Sequence, residues 1–247
     1  MRILVIGLEG AAPGELLGRE DLANVRRLME AGCFGGLELP AVSDPAWEEI
    51  AHAAQVAAGG VGAVLIGVPL RAVPRNAGTV LVGCPVRAAD GATAVASTGG
   101  AAADVGPRTG FEALRHHVAR GDAGALVLVD RGGGPAGEAG SAADAEIGRV
   151  LEAIEGETAV LVVALPAPGA ASGGAFVLAA PALPAVGAIE AARLADLGPT
   201  LLALGGGDLP AGLAGRNLVA GAAAAQTATD EDEERLVKER LAGLGYI

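Results

Sequence analysis

The sequence predicts an α/β protein with a mostly parallel central sheet and helices on both of its faces. Two observations predict it. Continuous apolar runs of strand length occur at residues 3–6, 63–66, 79–82, 125–129, 159–164 and 176–179, the mark of strands buried on both faces. Several of the gaps between them carry amphipathic helical patterns, the alternation that produces parallel strands joined by crossover helices. A length of 247 residues suits one large α/β domain, because single hydrophobic cores stop growing near about 250–300 residues. Residues 1–247 are therefore read as a single domain.

After the first strand, a helix is expected over residues 22–31. Leu22, Val25, Leu28 and Met29 share one face, and Gly32 is placed as its C-terminal cap. The next helix opens with Asp44 as N-cap, Pro45 at the first helical position, and Glu48 and Glu49 in the first turn, where the helix dipole favours negative charge. Capping boxes announce two more helices, Thr109 with Glu112 and Ser141 with Asp144. The first carries a thin stripe of Phe111, Leu114 and Val118. The second carries a fuller one of Ile147, Val150, Leu151 and Ile154.

Residues 158–189 contain no charge, a length that could span a bilayer. Pro166, Pro168, Pro181 and Pro184 would break any helix there, so the segment reads as two buried strands joined by a loop. A further helix is expected over residues 196–204 with Pro199 in its first turn. A last one runs from near Asp230 to about Leu241, its acidic start at 230–234 stabilised by the helix dipole.

Composition narrows the function classes. Hydrophobic residues make up 51% but aromatics only 2%, so the core must be filled by Ala, Val, Leu and Ile through many small contacts. The 40 glycines and 14 prolines follow no three-residue period, which excludes collagen. A net charge of −12 without a basic stripe argues against nucleic acid, whose phosphates need clustered Lys and Arg. The opening MRILVIGLEG lacks a signal-peptide cleavage pattern, so a cytoplasmic address and no membrane contact are expected. Cys33 and Cys84 stand apart from each other and from any metal spacing, and read as small buried hydrophobes without a disulfide. The GxGxxG, GxxxxGK[ST], GxSxG and HExxH patterns are absent. Gly132, Gly133 and Gly134 read as a flexible turn.

The order of segments resembles a type I phosphodiesterase/nucleotide pyrophosphatase of the alkaline phosphatase superfamily. MRILVIGLEGAAPGELL followed by NVRRLMEAGCFGGLE is similar to the family's first strand, metal-binding turn and first helix. GAVLIGVPLRAVPRNAGTVLVGCPV is similar to a central segment with a Val-Pro turn. ALVLVDR with DAEIGRVLEAI resembles the strand ending in a metal-ligand Asp and its following helix. AVLVV, GGAFVLAAP, RLADLGPTLLALGG, LAGRNL and DEDEERLVKERLAGLGYI resemble the closing elements. The resemblance covers most of the chain and implies an alkaline-phosphatase-like fold reduced in size, since family members are usually much longer.

It also implies hydrolysis by two divalent metals held by Asp and His, with a Thr or Ser nucleophile at a helix N-terminus. The metals would deprotonate the nucleophile and clamp the oxygens of an in-line displacement. Matched position by position, the first ligand Asp falls on Glu9, one methylene longer. The nucleophile after Pro45-Ala46-Trp47 falls on Glu48, whose carboxylate would repel phosphate; an alternative alignment deletes the nucleophile loop, and both lose the Thr. Asp130 with Arg131 begins the family's Asp-Arg-x-x-His, whose His is replaced by Gly134. The Asp and His of Ser-Asp-His-Gly are replaced by Leu165 and Pro166, and the last His by Ala170.

Carboxylates thus remain at two ligand positions, and the other four hold apolar residues or Gly, too few donors for a two-metal site. His52, His116 and His117 fall in expected helices away from the strand ends. The expectation is a catalytically degenerate scaffold acting by binding a small molecule or a protein. No cofactor is expected beyond, if any, a single divalent cation, Mg, Mn or Zn. Two alternatives stand: a residual hydrolase with one Mg or Mn held by Glu9, Glu48 and Asp130, and a structural or interaction subunit that forms homo-oligomers.

Overall fold

In a computed structural model, residues 1–39, 46–59, 62–68, 79–82, 84–87, 93–96, 107–121, 123–130, 136–166, 173–181, 183–207 and 214–220 are described. The strands in chain order are β1 (Arg2–Glu9), β2 (Cys33–Glu38), β3 (Ala63–Ile66), β4 (Thr79–Val82), β5 (Cys84–Arg87), β6 (Thr93–Ala96), β7 (Ala125–Asp130), β8 (Thr158–Leu165), β9 (Gly174–Ala179), β10 (Gly187–Ala188) and β11 (Ala192–Arg193). The helices are α1 (Pro13–Leu17), α2 (Ala23–Ala31), α3 (Ala46–Ala57), α4 (Pro107–Arg120), α5 (Ala136–Glu152) and α6 (Leu194–Leu204).

A nine-stranded sheet runs β10-β2-β9-β8-β1-β7-β3-β4, with β11 also on β2; β5 and β6 form a separate hairpin. The middle, β8-β1-β7-β3-β4, is wholly parallel, and β9 inserts antiparallel between β8 and β2. Every residue of β3, β7, β8 and β9 is buried. That is why these segments read as unbroken apolar runs rather than alternating ones. Each fully buried Val, Leu or Ile contributes about 1.5–3 kcal/mol, so these strands supply the main cohesive term.

Two apolar cores flank the sheet. On one face, Ile3, Val5, Val127 and Leu161 pack against α3 and α6 through Trp47, Ile50, Leu197 and Leu201. On the other, Leu4, Ile6, Leu126 and Val162 meet α1, α2, α4 and α5 through Leu16, Val25, Phe111 and Ile147. This is the predicted layering, a mostly parallel sheet between helices. The scarcity of aromatics shows in α3, which buries Ala51, Ala53, Ala54 and Ala57. Small side chains let α3 and α6 approach closely: a Cβ on Gly205 would lie 2.0 Å from the Ala57 carbonyl oxygen.

The stripe Leu22, Val25, Leu28 and Met29 is buried as expected, and so is Phe111, Leu114 and Val118. Gly32 is the C-terminal cap of α2, as expected. Its φ of −152° is extended rather than left-handed. It is glycine because a Cβ would lie 2.0 Å from the Leu178 carbonyl oxygen across the β2–β9 junction. Both proposed capping boxes are displaced. Helix α4 begins at Pro107, which puts Thr109 inside its first turn. Helix α5 begins at Ala136, which puts Ser141 in its second turn.

Helix α6 starts at Leu194, two residues before the expected Asp196, so Pro199 falls in the second turn. Asp196 occupies the third helical position and is fully buried. Its carboxylate accepts from the backbone N–H of Arg193 at 2.9 Å and of Arg216 at 2.9 Å. The Thr200 hydroxyl donates to the Asp196 carbonyl at 2.6 Å and accepts from the Leu218 N–H at 3.0 Å, so residues 216–218 are pinned to the helix. Strand β2 was not expected. Its CFGGLE alternates buried and exposed positions and lacks an apolar run. The charge-free stretch 158–189 holds β8 and β9 as predicted, and among the described residues no helix is long and apolar enough to cross a membrane. Asp44, Pro45, Gly132 to Gly134 and the expected helix at 230–241 lie outside the described residues.

Candidate functional site

The parallel strands present their C-terminal ends at one edge of the sheet, the usual ligand edge of such folds. There β1 ends at Glu9, β7 at Asp130 and β8 at Leu165. Gly10 follows in a left-handed conformation, φ +92°, which glycine adopts without the Cβ penalty of other residues. Its N–H extends the ladder by donating to the Leu165 carbonyl at 2.7 Å. The chain then turns into α1, leaving a cavity of about 80 Å³ between the end of β1, α1, α2 and α5. Glu9, Glu15, Asp130 and Asp144 border it, together with apolar Leu16 and Val25 among others.

Two of these carboxylates have structural work. Glu15 accepts the Ala12 N–H at 2.8 Å and so closes the first turn of α1. Asp144 is buried and caps α2 from a different helix. It accepts from the Asn24 N–H at 3.1 and 3.2 Å, from the Val25 N–H at 2.9 Å and from the Asn24 side-chain amide at 3.0 Å. The N-terminal N–H groups of a helix need acceptors, and the N-cap residue Leu22 has no side-chain oxygen to offer. Asp144 replaces it.

At the outer rim, Arg19 hydrogen-bonds Asp21, and Ser141 donates to Asp21 at 3.1 Å. The Arg19 contact, aided by Ser141, holds the Asp21 carboxyl down at about 2 and raises the Arg19 guanidinium above its ordinary value.

Glu9 and Asp130, the expected residual ligand positions, border this same cavity. They leave their strands on opposite phases. Successive strand side chains alternate faces; in strand phase Glu9 follows Ile3 and Val5 and pairs with Leu165, residues of the α3-side core, yet at the strand end it borders the cavity on the side of α1, α2 and α5. Asp130 is in phase with Leu126 and Leu128 and pairs with Leu8, on the α5 face. Glu48 belongs to neither group. It is half-buried in the first turn of α3 and does not line the cavity. Its neighbour Trp47 lies against β1, where a Cβ on Gly7 would come within 2.5 Å of the indole.

Where the resemblance implies an Asp ligand, Leu165 is 4% exposed and built into the core on the α3 side. Ala164 before it is fully buried. Among the described residues this strand end sets Glu9 and Asp130 beside the aliphatic Leu165, whereas a pair of divalent cations needs N and O donors on each ion. Among the described residues, no three His, Cys, Asp or Glu side chains come together as a metal-holding group. His116 and His117 lie near the C-terminal end of α4, beside the start of β1, where Arg2 donates to the Val118 carbonyl at 3.2 Å. They are at the opposite edge of the sheet from the cavity. His52 is exposed on α3.

Comparison with known proteins adds the fold's affinity. No family model matches the chain, and no curated protein matches it. Solved structures do. A protein in the alkaline phosphatase superfamily from Vibrio parahaemolyticus is similar at a TM-score of 0.56 and 15% identity, covering 88% of this chain and 69% of its own. The phosphonate monoester hydrolase of Silicibacter pomeroyi is similar at 0.53 and 12%, covering 88% of this chain and 75% of its own. A protein solved in complex with its substrate D-glucosamine-2-N,6-O-disulfate is similar at 0.54 and 9%, covering 87% and 79%. The chain therefore has an alkaline-phosphatase-like α/β fold and is smaller than these neighbours.

Proposed function

We propose that this chain is a degenerate relative of the type I phosphodiesterases/nucleotide pyrophosphatases that has lost two-metal hydrolysis and acts by binding a small molecule or a protein at the C-terminal edge of its sheet. The supporting observation is Leu165, an aliphatic side chain packed into the core at the strand end where the resemblance implies a ligand Asp. Metal-assisted ester hydrolysis needs cations to generate the nucleophile and to neutralise charge on the transferred group. The test is a phosphodiesterase and phosphatase assay with Zn²⁺, Mn²⁺ and Mg²⁺. No turnover above background is expected, and turnover abolished by Asp130→Ala would overturn the proposal.

A second reading has its own observation: Glu9 and Asp130 border one cavity. A single Mg²⁺ or Mn²⁺ could be held there by oxygen ligands and water, since hard cations keep part of their hydration shell. Calorimetric titration decides it, and absence of binding at millimolar cation removes this reading.

A further inference from the structure

We draw no further inference here: the strongest candidate, the acidic cavity of about 80 Å³ between the end of β1, α1, α2 and α5, belongs to the site already described, and with Glu15 and Asp144 engaged as acceptors for helix N–H groups nothing in the structure shows which ligand it takes.

Discussion

Glu9 and Leu165 are register partners at the C-terminal ends of adjacent parallel strands, a carboxylate beside a buried aliphatic side chain. Leu165 fills space among the α3-side core residues, so the position is committed to cohesion. Leu165→Asp would bury a carboxylate next to Glu9 without a cation between them. A loss of about 3–5 kcal/mol is expected near neutral pH, the range for an uncompensated buried charge. Urea denaturation measures it, and a variant as stable as the parent would mean that the site accommodates charge.

Asp144 and Ser141 separate two accounts of the same helix. Asp144→Ala strips the acceptor from the Asn24 and Val25 N–H groups, and removing a capping side chain costs about 0.5–2 kcal/mol. Ser141→Ala removes only an exposed hydroxyl contact with Arg19 and Asp21, and surface changes usually stay within about 0.5 kcal/mol. Thermal or urea melts of the two variants check the order. The reverse order would restore Ser141 as the cap.

Much of the fold was legible because the inner parallel strands β3, β7 and β8 are buried on both faces, and the half-buried edge strand β4 is still an unbroken run of β-formers. The runs at 63–66 and 79–82 match β3 and β4 to the residue. Strand β2 was hidden because its inner positions include Gly35, where a Cβ would lie 2.2 Å from the Ile189 carbonyl oxygen. A glycine required by a distant backbone leaves no apolar trace. Asp144 was misread for the same kind of reason: its partners are about 120 residues away, beyond any local capping pattern. At the site, the resemblance pointed to Glu9 and Asp130, and both border one cavity. That Glu48 lies in the helix layer across the sheet from α5 follows from the packing of Trp47 on Gly7, which no spacing encodes.

Gly7 and Trp47 should be strongly coupled. A methyl at Gly7 would stand 2.5 Å from the indole carbons, and overpacking of this kind costs about 1–3 kcal/mol. Combining Gly7→Ala with Trp47→Leu should recover part of that loss, because residues in contact are non-additive. Trp47 is the single tryptophan and 6% exposed, so its emission also reports the displacement in Gly7→Ala. Additive stabilities would contradict the contact.

Cys33 is fully buried, and burial pushes its thiol up to about 11 from an ordinary 9.0. The folded state thus holds its proton where the unfolded chain releases it. Its contribution is fully present below about pH 9 and is lost as pH rises toward about 11. Cys33→Ala should flatten that alkaline limb. Iodoacetamide at mildly alkaline pH, followed by peptide mapping, should leave Cys33 unmodified in the native protein and modified in urea. Rapid native labelling would place the thiol at the surface.

The count of tightly bound divalent cations per chain tests the central claim most directly. Equilibrium dialysis against Zn²⁺ or Mn²⁺ with elemental analysis should give no more than one ion per chain, reduced by Asp130→Ala if an ion is held at that cavity. Two ions per chain, both lost on replacing Glu9 and Asp130, would contradict the account.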